Sequence, residues 1–371
     1  MNNHMQKFLA VIGHVLKMAL GLFFVLSALS KYVGIDSFEV YVYSLHLLPL
    51  MLSQVAARLV IVAELWLALM LVTGYRHKLT MLCTTLALLA FTILLAGLAI
   101  SGRMDNCHCM GELMPFDPIH SIQKNAVLLL ITLFAWRWGS DDWRPRWWLA
   151  VPLVALTVEM IVQCGYWGVL YVTRFMRDYV YVWMAVLVVV TLIASLQSQV
   201  PVLNKKWVTA LLALAPLVTI FILSAPDSWL PEQKDLTYDG KVLKRQMNGG
   251  PLDDVHLKTG RKVLCLYSSS CHYCQMASQK IGTMQQRLKL ADSSFVTVFP
   301  EAREDGVVHS DLFYAASHAP RYYEMSLPAD TFLYITYGRF PVVLFLEDGT
   351  VVRQADYRDI SEKDMMWVAE Q

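Results

Sequence analysis

Two rhythms of apolar and polar positions divide the chain. Up to about residue 225, long apolar stretches alternate with short polar loops; beyond it, apolar residues come in runs of five or six between charged and turn-forming residues. A bilayer core about 30 Å thick takes roughly 20 apolar residues in a helix. On that measure the first rhythm predicts about seven spans: Phe8–Leu29, Val55–Thr73, Leu79–Ile100, Ile122–Trp138, Trp147–Cys164, Tyr179–Leu196 and Trp207–Ser224. The fourth and fifth are short and flanked by tryptophans, which suit the membrane interface. The first lacks a small-residue cleavage site and is long for a leader, so a retained helix is expected.

The second rhythm predicts a soluble α/β domain over residues 261–371, after a polar linker over 226–260 that contains Pro231 and the turn signal Gly249–Gly250–Pro251. Lys262–Tyr267 is short and apolar, as a buried strand is. A helix is predicted from Cys271 to about Leu290, then strands at Phe295–Phe299 and Val342–Leu346. Glu347–Asp348–Gly349 turns the chain into Val351–Arg353, and Ser361 is placed to cap a final helix to Glu370. The expected architecture is multi-domain: a polytopic helical membrane bundle followed by this α/β domain. A four-helix part is read over 1–140 and three further spans over 141–225.

Composition agrees with a membrane. Of all residues 56% are hydrophobic and 16% charged, against about a quarter charged in soluble domains. The net charge of +1, with no basic tract interleaved with aromatics, argues against nucleic acid as a partner. With a cytoplasmic N-terminus, Lys7, Arg76, Lys78, Arg137, Arg144, Arg146, Lys205 and Lys206 fall inside. Lys31, Arg103, Lys124, Arg174 and Arg177 fall outside, a modest positive-inside bias. An odd span count then puts the loop after the third span and the C-terminal domain on one extracytoplasmic, disulfide-permissive face.

Both loop and domain carry paired cysteines. Cys107 and Cys109 form a C-x-C and Cys271 and Cys274 a C-x-x-C; Cys83, Cys164 and Cys265 stand alone. No second C-x-x-C or histidine pair follows at ligand spacing, which argues against structural zinc in the domain. The order strand, Cys271-His272-Tyr273-Cys274, helix, together with Gly338-Arg339-Phe340-Pro341 before a strand, resembles the thioredoxin fold over roughly residues 260–371. The resemblance implies that Pro341 is cis and lies beside the cysteine pair. A cysteine at a helix N-terminus has its thiolate stabilised by free backbone N–H groups and the macrodipole. Position in the motif therefore assigns Cys271 as the attacking thiol and Cys274 as the resolving one. His272 either lowers the thiolate pKa further or only shapes partner contact. Cys265 stands where ordinary thioredoxins place a buried aspartate, and it is expected to be an inert core thiol. Residues 300–330 are expected to be an insertion.

The membrane part has its own resemblance. Ser30-Lys31, Leu47-Leu48-Pro49, Glu64 and Gly74 resemble the DoxX family, and Cys107-His108-Cys109-Met110-Gly111 with Lys124-Asn125 narrows this to its MauE branch over about residues 5–140. That family implies a small helical bundle associated with extracytoplasmic disulfide formation in partner proteins. A C-x-C disulfide closes a very small ring and should be strained and oxidising, which suits a relay. The competing reading is a metal held by Cys107, His108, Cys109 and His120. Glu64 is either a proton or quinone site or one half of a structural pair, with Lys31 as its partner; Glu159 raises the same question.

The expected activity is thiol–disulfide exchange with extracytoplasmic client proteins, at a bacterial inner membrane with the C-terminal domain on the periplasmic side. Cys271–Cys274 would act on clients and Cys107–Cys109 would relay electrons towards a quinone; no covalently bound cofactor and no metal are expected. Two alternatives stand beside it. One is an outward reductant conduit, the other a non-catalytic membrane scaffold carrying a thioredoxin-like domain.

Overall fold

The computed structural model describes residues 3–73, 76–102, 117–139, 238–301 and 310–370, with scattered positions between 214 and 229. It divides into two compact units, Met1–Phe38 with Ala56–Ala225, and Glu39–Val55 with Pro226–Gln371.

In the first unit lie α1 (Asn3–Val33), most of α3 (Leu50–Thr73), α4 (His77–Ile100) and α5 (Pro118–Trp138); α2 (Ile35–Ser44) runs from the first unit into the second. The four long helices are apolar and long enough to cross a membrane. They match the first four predicted spans. Those at Trp147–Cys164 and Tyr179–Leu196 lie outside the described residues, and of Trp207–Ser224 only scattered positions are described. Large apolar side chains such as Leu86, Ile93, Val127 and Leu130 are more than half exposed on protein alone. Water would not tolerate so continuous an apolar face, whereas lipid covers it at no cost. Polar groups inside the bundle satisfy one another. Thr84, Thr92 and Thr132 hydroxyls donate to the carbonyl one turn back, and Asn125 Nδ2 donates to Thr92 Oγ1 at 3.2 Å, joining α5 to α4. α5 starts where sequence chemistry dictates: Asp117 accepts the His120 amide, and Pro118 occupies the first turn, where no N–H is needed.

The second unit is built on a five-stranded sheet. Its strands are β1 (Arg261–Leu266), β2 (Phe295–Pro300), β3 (Tyr323–Leu327), β4 (Val342–Glu347) and β5 (Thr350–Ala355), in the order β3-β2-β1-β4-β5. β1, β2 and β3 run parallel; β4 and β5 are antiparallel to their neighbours. Helices cover both faces: α6 (Gly240–Met247), α7 (Val255–Lys258), α8 (His272–Leu288), α9 (Ser310–Ser317), α10 (Ala329–Thr336) and α11 (Glu362–Ala369). Because side chains alternate along a strand, the central strands feed two cores. Val263, Cys265, Phe295, Phe299, Val343 and Phe345 pack with α8, α9 and α11. Leu264, Leu266, Val296, Val298, Leu344 and Leu346 pack with α6 and α10. Strands buried on both faces read as continuous apolar runs, which is why their sequence signal was strong.

Three expectations change. The linker read over 226–260 is helical at Gly240–Met247 and Val255–Lys258, and Leu243, Met247, Leu252 and Leu257 are core residues. The insertion read over 300–330 is in part sheet, since Tyr323–Leu327 pairs along β2 as the edge strand. Residues 39–55, read within the membrane part, group with the C-terminal domain. Tyr43 is fully buried in the first core; its hydroxyl donates to Glu362 at 2.9 Å, and the Arg287 guanidinium lies 4.7 Å from its ring and donates to the Leu48 carbonyl.

Candidate thiol–disulfide site

The site forms where β1 ends and α8 begins. After Leu266 the chain leaves the sheet through Ser268–Ser270, and Cys271 becomes the N-cap of α8. Cys271 Sγ accepts the Cys274 backbone N–H at 3.2 Å, the bond a serine or aspartate oxygen makes at other N-caps. One turn of helix then sets Cys274 behind it. Cys271 is half-buried and Cys274 fully buried. The pair is therefore asymmetric, one sulfur reachable by a partner and the other reachable only through the first.

The loop before β4 completes the site. The Phe340–Pro341 peptide is cis, and the Cys271 thiol points at the Phe340 carbonyl at 3.8 Å. Gly338 takes a left-handed φ of 68° just upstream, which suits a residue without Cβ. Cys271, Cys274 and Pro341 are thus brought together.

Electrostatics sharpen the asymmetry. The Cys271 thiol is held below its ordinary range by the hydrogen bond from the Cys274 thiol, then by the N–H groups of Cys274 and Tyr273 and by the charge of His272; partial burial opposes them. Cys274 is pushed well above that range by burial, then by its bond to Cys271 and the Cys271 charge, with Asp356 adding to it. Alkylation should follow this order. Iodoacetamide should label Cys271 with a midpoint below the ordinary thiol value of about 8.5, and Cys274 only well above it. Mass-spectrometric labelling against pH tests this, and earlier labelling of Cys274 would contradict the assignment.

The other predicted residues lie in four different settings. His272 is exposed, and its ring lies 6.1 Å from that of Tyr273. Cys265 is wholly buried in β1, and burial pushes its thiol up to about 12, the condition of an inert core thiol. Glu64 belongs to the other unit, where its carboxylate receives Lys31 Nζ at 2.8 and 3.1 Å and the Ser27 hydroxyl at 3.2 Å. Cys107, His108 and Cys109 lie outside the described residues; the His120 ring, from the competing metal reading, is bonded to Asp117 at 2.8 Å. Among the described residues no group of three metal-ligating side chains forms a cation site.

Sequence reading missed the segment after β5. Tyr357 stacks on Tyr273 at 5.0 Å, and the buried Lys280 ammonium donates to the carbonyls of Tyr357 and Arg358 at 2.9 and 3.2 Å. No motif marks this pairing; a lysine among the apolar positions of α8 was the one signal available.

Comparison with known proteins fits this layout. Residues 7–137 match the family described as Methylamine utilisation protein MauE. Protein TlpB of Flavobacterium psychrophilum is 23% identical over 290 residues, covering 74% of this chain and 73% of that protein. No solved structure matches the chain. The chain thus joins a MauE-like, multi-pass membrane part to a C-terminal thioredoxin-like domain.

Proposed function

We propose that the protein is a membrane-anchored thiol–disulfide oxidoreductase acting on extracytoplasmic proteins. The observation that carries this reading is the pair itself. Cys271 caps α8 with a stabilised thiolate, and Cys274 waits buried one turn behind it. A client thiolate attacks Cys271 of the disulfide form and releases Cys274, and a second client thiol resolves the mixed disulfide, leaving the client oxidised and the pair reduced. In the reverse direction Cys271 attacks a client disulfide and Cys274 resolves it. The Phe340–Pro341 loop beside Cys271 offers backbone for the client to align on.

In the same proposal Cys107 and Cys109 share the extracytoplasmic face of a bacterial inner membrane with the domain. They pass electrons between Cys271–Cys274 and the bilayer, with a quinone as the mobile acceptor. A strained C-x-C disulfide is a good oxidant, so net flow from clients to membrane is the favoured direction. Cys274→Ser should trap clients as mixed disulfides on Cys271, seen on non-reducing gels as reducible bands absent from the Cys271→Ser/Cys274→Ser double variant. If no band forms under oxidising conditions, exchange with proteins is not its activity.

A further inference from the structure

The site lacks a proton acceptor where ordinary thioredoxins keep one, because Cys265 occupies that place in β1. Resolution nevertheless requires Cys274, a buried thiol, to lose its proton before its sulfur can attack. Among the described residues, Asp356 is a carboxylate whose charge reaches Cys274.

We propose that Asp356, in the turn after β5, is the proton acceptor for Cys274 in the resolving step. This rests on the exchange reading above and assigns one of its steps to a residue.

The geometry begins with the turn itself. Tyr357 stacks on Tyr273, the residue before Cys274, with ring centroids 5.0 Å apart. One and two turns further along, α8 offers Ala277 and then Lys280, whose ammonium is buried and holds the carbonyls of Tyr357 and Arg358. Tyr357 belongs to the same buried cluster as Cys274. The turn is therefore fastened over the first two turns of α8 at both ends of the stretch that carries Cys274. Asp356 also accepts the Tyr357 backbone N–H, which fixes its side chain within this turn.

The surroundings suit the role. Among the described residues, the charged groups that act on Asp356 are Lys280 from α8 and Arg358 and Asp359 from its own turn, and its own charge acts on Cys274. Burial, the largest influence, raises its carboxyl above the usual range; the Tyr357 N–H, Arg358 and Lys280 pull it back, and Asp359 adds to the rise. A carboxylate moved towards neutrality is a stronger base than one in water. Its charge also reaches Cys274 and disfavours the thiolate there. As a bystander, then, Asp356 would slow resolution. As a proton acceptor it speeds it.

The step balances. The Cys271 thiolate attacks a client disulfide, joins one client sulfur and releases the other as a thiolate. Cys274 gives its proton to the Asp356 carboxylate, and its sulfur attacks Cys271 Sγ. The Cys271–Cys274 bond forms, the Cys271–client bond breaks, and the electron pair leaves on the client sulfur. The client disulfide gains two electrons and the protein pair loses them; Asp356 then passes its proton to solvent or to the departing thiolate. In the opposite direction protonated Asp356 returns the proton to Cys274.

The test uses the reduced full chain in detergent, mixed with a peptide disulfide whose dye marks the sulfur that Cys271 captures. Acid quenching at set times reports attachment of the dye and its release, with Cys274→Ser as the variant that keeps it. Asp356→Asn retains an acceptor for the Tyr357 N–H, so the turn is preserved. Attachment should proceed at the wild-type rate, while release near neutral pH should slow by about tenfold or more. The acidic limb of the release profile, set by ionisation of Asp356, should vanish, leaving a rise only where Cys274 itself ionises; Asp356→Glu should recover part of the rate. Release as fast as wild type, or faster, overturns the assignment, since removing a bystander charge frees the thiolate. Failure of the dye to attach to the wild-type chain overturns the exchange reading, and this assignment with it.

Discussion

Cys265→Asp should destabilise the thioredoxin-like domain by roughly 3–5 kcal/mol at neutral pH, and by far less near pH 4. The position is wholly buried in a central strand, paired with Thr297 on one side and Val343 on the other, inside the core that holds Phe295, Phe299 and Phe345. Such surroundings already push the native thiol up to about 12, and a carboxyl there would likewise resist ionisation. The sign follows from proton linkage. The folded pKa of the new carboxyl would lie above its unfolded value of about 3.9, so the folded state holds the proton more tightly. Below the unfolded value both states are protonated and the charge costs nothing. As pH rises towards the folded value, stability is lost, and above it the deficit stays constant. Thermal melts of the full chain across this range, with Cys265→Ser as a nearly pH-independent control, measure the effect. A variant equal to wild type at neutral pH would show that this place tolerates the ordinary aspartate, and that its absence here is not imposed by the core.

That prediction bears on how far the sequence could be read. β1, β2 and β4 were visible because both their faces are buried, leaving uninterrupted apolar runs. The motif cysteines were visible because one helical turn is the spacing that puts two sulfurs together. Ser361 was readable as a cap, and the structure closes a capping box between it and Asp364. What escaped notice depends on residues far apart in sequence. Tyr323–Leu327 is an edge strand carrying Glu324 and Ser326 on a partly exposed surface, so it shows no apolar run. In α6 the signal existed but was short: Asp239 caps it, and Leu243 and Met247 repeat at one-turn spacing into the core. Tyr43 finds Glu362 across 319 positions of sequence, and nothing local at either residue announces the other. Asp356 belongs with these, since only the folded chain sets its turn over α8.

Glu64 poses the same choice between a structural and a functional role, and one pair of substitutions separates them. Lys31 is almost fully buried and its ammonium bonds both Glu64 oxygens, while the Ser27 hydroxyl links the two partners by accepting from Lys31 at 2.6 Å. Lys31→Met alone should therefore destabilise the bundle by about 3–5 kcal/mol, because it takes the hydrogen-bonded ammonium from a carboxylate inside the bundle. Adding Glu64→Leu removes the stranded charge and should restore most of the loss, as replacement of a whole buried ion pair by apolar residues commonly does. Thermal melts in detergent give both numbers. The in vivo redox state of Cys271–Cys274, read by thiol alkylation and gel shift, gives the functional answer on the same strains. A structural pair predicts that the double variant keeps the wild-type ratio of disulfide to dithiol. A stable double variant whose cysteine pair becomes reduced would instead mark Glu64 as a working proton site in the path from domain to membrane.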